Sequence, residues 1–231
     1  MRHMVAADRW SQGSSPIHAR DPRAKLAALL VFLIAAGTTG PSGQLAFGCY
    51  AAMCLAAAVA SRLPLGGLAA RAALVLPFSG VFALLTWWLG DGWRALALVE
   101  RSYLSVFAAL LFVATTPVPA WTAALETWRF PRTLILAIQF LYRYLFVIAE
   151  QALRMSLAAQ CRGGAGIGSV GGAIGVLFAR SWERAESVSQ AMLARGFRGH
   201  FRPRTLPRFQ AADAMFLGAA SAAAIAIRLA L

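Results

Sequence analysis

Residues 133–163 read TLILAIQFLYRYLFVIAEQALRMSLAAQCRG, and the assignment of this stretch decides the fold. From Leu134 its apolar positions run Ile138, Leu141, Leu145, Ile148 and Ala152, steps of three and four that share one helix face. The helix continues through Arg154 and Ala158 to Arg162, where Gly163-Gly164 stops it. Its first half, Thr133–Ala149, is apolar enough to cross a bilayer. Yet Gln139 and Arg143 sit near its centre, where an arginine costs about 2.5–3.5 kcal/mol. If this stretch and Gly164–Ala179 both crossed, Arg154 and Arg162 would be exported. The expectation is a long helix on the cytoplasmic side, packed beneath the spans.

A second helix is expected from near Ser169 to Arg195, with Gly196 as its C-terminal stop. Within it Gly171, Gly175 and Ala179 fall at i, i+4 and i+8, a small-residue stripe that lets another helix approach closely. Generic bundle packing would use the same stripe. Outward from this block lie apolar segments at roughly 25–38, 44–60, 68–89 and 95–114, and a last one at about 209–230. Gly40-Pro41-Ser42-Gly43, Pro64-Leu65-Gly66-Gly67 and Gly90-Asp91-Gly92 read as the turns between the first four. The expected fold is all-α and polytopic, with about five transmembrane helices plus long cytoplasmic helices. Residues 1–116 hold an N-terminal segment and four spans, 117–208 the cytoplasmic helices, and 209–231 the last span.

Composition agrees. The chain is 59% hydrophobic and only 13% charged, whereas soluble domains carry about a quarter charged residues. The lipid bilayer must solvate much of the surface. The net charge of +13 is uneven: residues 1–25 carry five Lys/Arg against two acids, and 117–208 carry twelve Arg against four Glu. In a soluble protein that balance would suggest nucleic acid. Beside apolar spans it marks cytoplasmic surface, and no nucleic-acid partner is expected. Arg20, Arg23 and Lys25 before the first span, with Arg62 and Arg71 after the second, put the N-terminus in the cytoplasm and Leu231 outside. Residues 1–25 are basic and broken by Pro16 and Pro22, so insertion is expected to rely on the spans and not on a cleaved signal.

Enzyme signatures are missing. There is no phosphate-binding GxxxxGK[ST] loop and no H-E-x-x-H or paired-cysteine metal motif. Cys49, Cys54 and Cys161 form no framework, and His3, His18 and His200 are scattered. Neither a metal nor a cofactor is expected. In-span charges are few, with Glu100, Arg101 and Asp213 among them. Glu100 and Arg101 point about 100° apart on a helix and make poor partners for each other. Asp213, near the start of its span, suits an interface or an interhelical pair.

The middle block repeats one design. Both helices end in a small residue, Arg and Gly: Cys161-Arg162-Gly163 and Ala194-Arg195-Gly196. Arginine there complements the negative end of the helix dipole, and its guanidinium can form bidentate bonds with a partner's carboxylates. A plain cap with a basic residue would look the same. The longer context resembles a known family. Ser181 to Gly199 (SWERAESVSQAMLARGFRG) is similar to the second signature of the transmembrane T components of energy-coupling-factor (ECF) transporters. Leu141–Val147, followed by Glu150, Arg154 and Arg162, resembles the helix bearing the first signature. Ser15–Lys25 resembles the family's opening, and the Tyr142-Arg143-Tyr144 stretch leans toward the CbiQ-type cobalt and nickel branch.

The resemblance implies a non-enzymatic scaffold between two ATP-binding cassette ATPase subunits and a substrate-binding membrane (S) subunit in a bacterial inner membrane. It implies that two coupling helices carry Arg162 and Arg195 into grooves of the ATPases, with Cys161, Gly163, Ala194 and Gly196 beside them. Cys161 departs from the usual alanine. Cargo would be cobalt or nickel, or a vitamin in a runner-up reading. A membrane-embedded enzyme would need clustered acids or histidines, and a secondary transporter an in-membrane polar site; neither pattern is found.

Overall fold

The computed structural model describes residues 13, 15–41, 43–163, 167–197 and 209–230. His3, His200, Gly164, Leu231 and the Arg198-Gly199 end of the second signature lie outside the described residues. Among the described residues the chain is all helix. In order these are α1 Pro22–Thr38, α2 Gln44–Ala60, α3 Leu65–Ala72, α4 Leu76–Trp88, α5 Gly92–Thr115, α6 Val118–Thr127, α7 Arg132–Cys161, α8 Ile167–Ala194 and α9 Ala211–Ala230. They form two compact units, one of residues 125–204 and one of residues 2–124 with 205–231.

The larger unit holds α1 to α5 and α9. Asp21 caps α1 by accepting the Arg23 N–H at 2.8 Å, with Pro22 preset in the first turn. The expected segment 68–89 is two helices, not one. Pro77 offers no N–H to the Ala73 carbonyl, and the chain tightens into a 3₁₀ turn at Ala73–Val75 between α3 and α4. Gly66 and Gly67, read as turn residues, lie instead in the first turn of α3, where unpaired N–H groups are normal. The next turn is as expected at Gly90, whose φ of +93° needs glycine.

By length and composition four stretches could cross a membrane: Leu65–Trp88, Gly92–Thr115, Arg132–Cys161 and Ala211–Ala230. α2 is apolar but shorter, and it and α1 have 17 residues each, at the low end for spanning. The fold is an all-α polytopic membrane protein. α7 passes the composition test despite Arg143.

The core of the larger unit interleaves alanines (Ala36, Ala46, Ala58, Ala72) with Phe32, Phe47, Tyr50 and Phe107. Small side chains bring helices close, which substitutes for the hydrophobic drive that lipid does not supply. Phe32 meets Tyr50 edge to face at 5.6 Å.

Both ends of this bundle are pinned by polar groups. At one end the buried Lys25 donates through Nζ to the carbonyls of His18 (3.2 Å) and Thr115 (3.0 Å), tying α1 to the end of α5. Asp213, also buried, accepts the Asp21 N–H at 3.1 Å through Oδ1 and the Gln210 N–H at 3.1 Å through Oδ2, half of a capping box for α9. At the other end Arg101 donates to the Thr39 carbonyl at 2.6 Å, and Arg228 to the Thr38 hydroxyl at 3.3 Å. The Gln44 amide, with its nitrogen toward Glu100, reaches both carboxylate oxygens at 3.1 and 3.2 Å. Asp213 thus makes the interhelical pair its position suggested, and Glu100 and Arg101 find partners on other segments.

Candidate functional site

The smaller unit is dominated by α7 and α8, which cross antiparallel. Two clefts open on either side of the crossing, where Val147 and Gln151 of α7 come near Arg184 of α8. One, of about 670 Å³, lies between the first half of α7 and the end of α8 and is mainly apolar, with Phe140, Leu141, Tyr144, Val188, Met192 and Phe197 in its walls. The other, of about 730 Å³, lies between the second half of α7 and the start of α8 and is the more polar of the two, with arginines set among aliphatic residues. At 1.5 Å per residue α7 is about 45 Å long and α8 about 42 Å.

The helix ends explain the small-Arg-Gly repeat. Gly163 has φ +74° and Gly196 φ +76°, the left-handed conformation that closes a helix without a Cβ clash. At α8 the Gly196 N–H reaches the Leu193 carbonyl at 2.9 Å and the Phe197 N–H the Met192 carbonyl at 3.0 Å, a complete Schellman motif. Phe197 and Met192 both line the apolar cleft, supplying its usual hydrophobic contact. At α7 the Gly163 N–H bonds the Gln160 carbonyl at 3.1 Å in the same way. Arg162 and Arg195 are therefore the equivalent C-cap residues, one position beyond the last helical residue of each helix. Both are exposed, as are Cys161 and Ala194 beside them. Antiparallel crossing places the C-terminal end of α7 near the start of α8, so the two arginines stand at opposite ends of the pair.

The capping geometry yields one test. Gly196→Ala puts a Cβ on a backbone at φ +76°, a strain of about 1–2 kcal/mol. The end of α8 should fray and Arg195 lose its fixed position. Amide hydrogen exchange should accelerate at residues 193–197 and stay unchanged in α7. Equal exchange in both proteins would show that the cap does not hold this end.

Gly171 and Gly175 have open space where a Cβ would stand, and Ala179 is exposed, so this stripe is not filled by the described chain. On the same helices Leu141, Leu157, Ile174, Phe178, Trp182 and Leu193 expose apolar side chains, and no α8 side chain among those described is fully buried. Sequence reading passed over two features. One is the meeting of Arg154, Arg162, Arg180 and Arg184 in the polar cleft; their spacing was visible, but which helix faces they shared depends on the crossing. The other is Lys25, which counted only as a loop charge and is 6% exposed. Among the described residues no three of His, Cys, Asp or Glu gather as a metal site.

Comparison with known proteins matches residues 13–206 to the family described as CbiQ, cobalt transport protein. The chain is 30% identical over 166 residues to the cobalt transport protein CbiQ of Rhodobacter capsulatus, covering 70% of this chain and 67% of that one. It is 31% identical over 109 residues to a putative fused cobalt transport protein CbiMQ of Methanocorpusculum labreanum, covering 45% of this chain but only 18% of that longer one. The family match takes in α1 to α8 and both arginine-ended helices. A membrane-spanning all-α chain with this match belongs to the CbiQ cobalt transport protein family.

Proposed function

We propose that this chain is the transmembrane coupling (T) subunit of an ECF-type ABC importer and carries no catalytic role itself. Two ATP-binding cassette ATPase subunits would receive Arg162 and Arg195. A substrate-binding membrane (S) subunit would pack against the pair, with the Gly171, Gly175 and Ala179 stripe as a close-approach face. The observation that carries this reading is the repeat of one exposed Arg–Gly end at opposite ends of two antiparallel helices. Equivalent tips suit two equivalent partners, and ATP-driven closure of those partners would change the crossing of α7 and α8. On this reading α7 and α8 lie on the cytoplasmic face of a bacterial inner membrane, with the N-terminus on the same side. Cobalt is the proposed cargo, with nickel as the chemically nearest alternative, and the ion would be held by the S subunit.

The test is purification of the tagged chain from native membranes after mild crosslinking. Two ATP-binding chains and a small membrane subunit should accompany it, and the assembly should take up ⁵⁷Co²⁺ on ATP addition. A chain that emerges alone, or transports without an ATPase, would overturn the proposal.

A further inference from the structure

The polar cleft between α7 and α8 concentrates four guanidinium groups: Arg154 and Arg162 from α7, Arg180 and Arg184 from α8. The acid in its lining, Glu150, is already held by Arg154 at 2.6 Å. Among the described residues Arg162, Arg180 and Arg184 have no carboxylate within ion-pair distance. The four side chains are exposed, so their like charges, gathered in one lining, repel only weakly through solvent. The remaining lining is largely aliphatic, with Val147, Met155, Ala158 and Val176 among it. Leu157, Ile174 and Phe178 on the same two helices are also exposed.

We propose that this cleft binds the phosphate headgroup of an anionic phospholipid, with the acyl chain laid along the aliphatic wall. Guanidinium pairs match phosphate oxygens in bidentate geometry. Basic pockets between helices at the cytoplasmic surface of membrane proteins take such headgroups. A free phosphate would neutralise the arginines but leave the aliphatic part of the lining uncovered. An acidic protein segment would do the same, so the lipid fits the whole lining best. A headgroup held there bridges α7 to α8 on one side of their crossing. The inference rests on the proposed cytoplasmic placement of α7 and α8 and shares Arg162 with the proposed ATPase contact, so its test is confined to Arg180 and Arg184.

The full-length chain, purified in detergent, should retain phosphatidylglycerol in native mass spectrometry in preference to phosphatidylcholine. The double substitution Arg180→Gln with Arg184→Gln should lower phosphatidylglycerol retention by about tenfold or more, and the matching double lysine variant by less. The unsubstituted chain gives a second readout: phosphatidylglycerol should raise its melting midpoint and phosphatidylcholine should not. Unchanged retention in the glutamine variant, or equal midpoints with the two lipids, overturns the proposal. So does inorganic phosphate displacing the lipid at millimolar concentration, which would make the ligand a free anion. If the glutamine variant kept its lipid and lost an ATPase subunit, the cleft would be a protein-docking surface and the lipid assignment wrong.

Discussion

Lys25→Met should destabilise the larger unit by about 1–3 kcal/mol, the range for leaving buried hydrogen-bonding groups unpaired. Lys25 is 6% exposed, as is Asp213, and Asp21 is 3% exposed. The two carboxylates supply the charge that offsets the ammonium, while the carbonyls of His18 and Thr115 take its protons. Methionine keeps the length of the side chain but leaves both acids without a cation, and frees two carbonyls at the junction of α1 and α5. The expected readouts are a lower melting midpoint in detergent and reduced yield in the membrane. Adding Asp213→Asn to Lys25→Met should recover part of the loss, because one uncompensated charge disappears. If Lys25→Met melts like the parent, or the double variant loses the simple sum of the two single effects, this account of the cluster is wrong.

That cluster marks where sequence reading reached its limit. Helical periodicity and the Gly-Pro turns were enough for an all-α membrane chain, because 3.6-residue spacing and turn chemistry are local properties. The break at Pro77 was also local: the 68–89 segment lies in one candidate span, Leu65–Trp88, and the missing N–H only interrupts its helix at Ala73–Val75. Lys25 was different. Its partners are the carbonyl of Thr115 and the acid Asp213, some 90 and 190 positions away, and no local pattern announces such a meeting. The same holds for the arginine cleft, whose four members were each visible on a helix face but came together only through the angle at which α7 crosses α8. The Arg162 and Arg195 ends were legible because a helix stop needs only glycine at the right place.

Arg162→Glu with Arg195→Glu should abolish ATPase co-purification and ATP-dependent cobalt uptake while leaving the chain folded. Both side chains are exposed and neither has an ion-pair partner among the described residues, so no ion pair is lost, although at Arg162 the new carboxylate would sit among Arg154, Arg180 and Arg184. A glutamate at a helix C-terminus is disfavoured by only about 0.3–1 kcal/mol through the dipole. The expected loss is therefore in assembly and not in melting midpoint. Truncating one partner of a buried, hydrogen-bonded charge pair across an interface costs about 2–5 kcal/mol, and reversal adds repulsion. In the proposed assembly either single reversal should weaken binding less than the pair does, because the remaining tip would still tether one ATPase and keep the second near by effective concentration. The double change removes both tethers. Arg→Gln at the two positions separates causes: it removes the cation without adding repulsion, and should give an intermediate phenotype. A double-Glu variant that still co-purifies with its ATPases and imports cobalt would remove the helix ends from the coupling mechanism. A charge-reversed ATPase groove that restores transport to that variant would instead assign each arginine its partner.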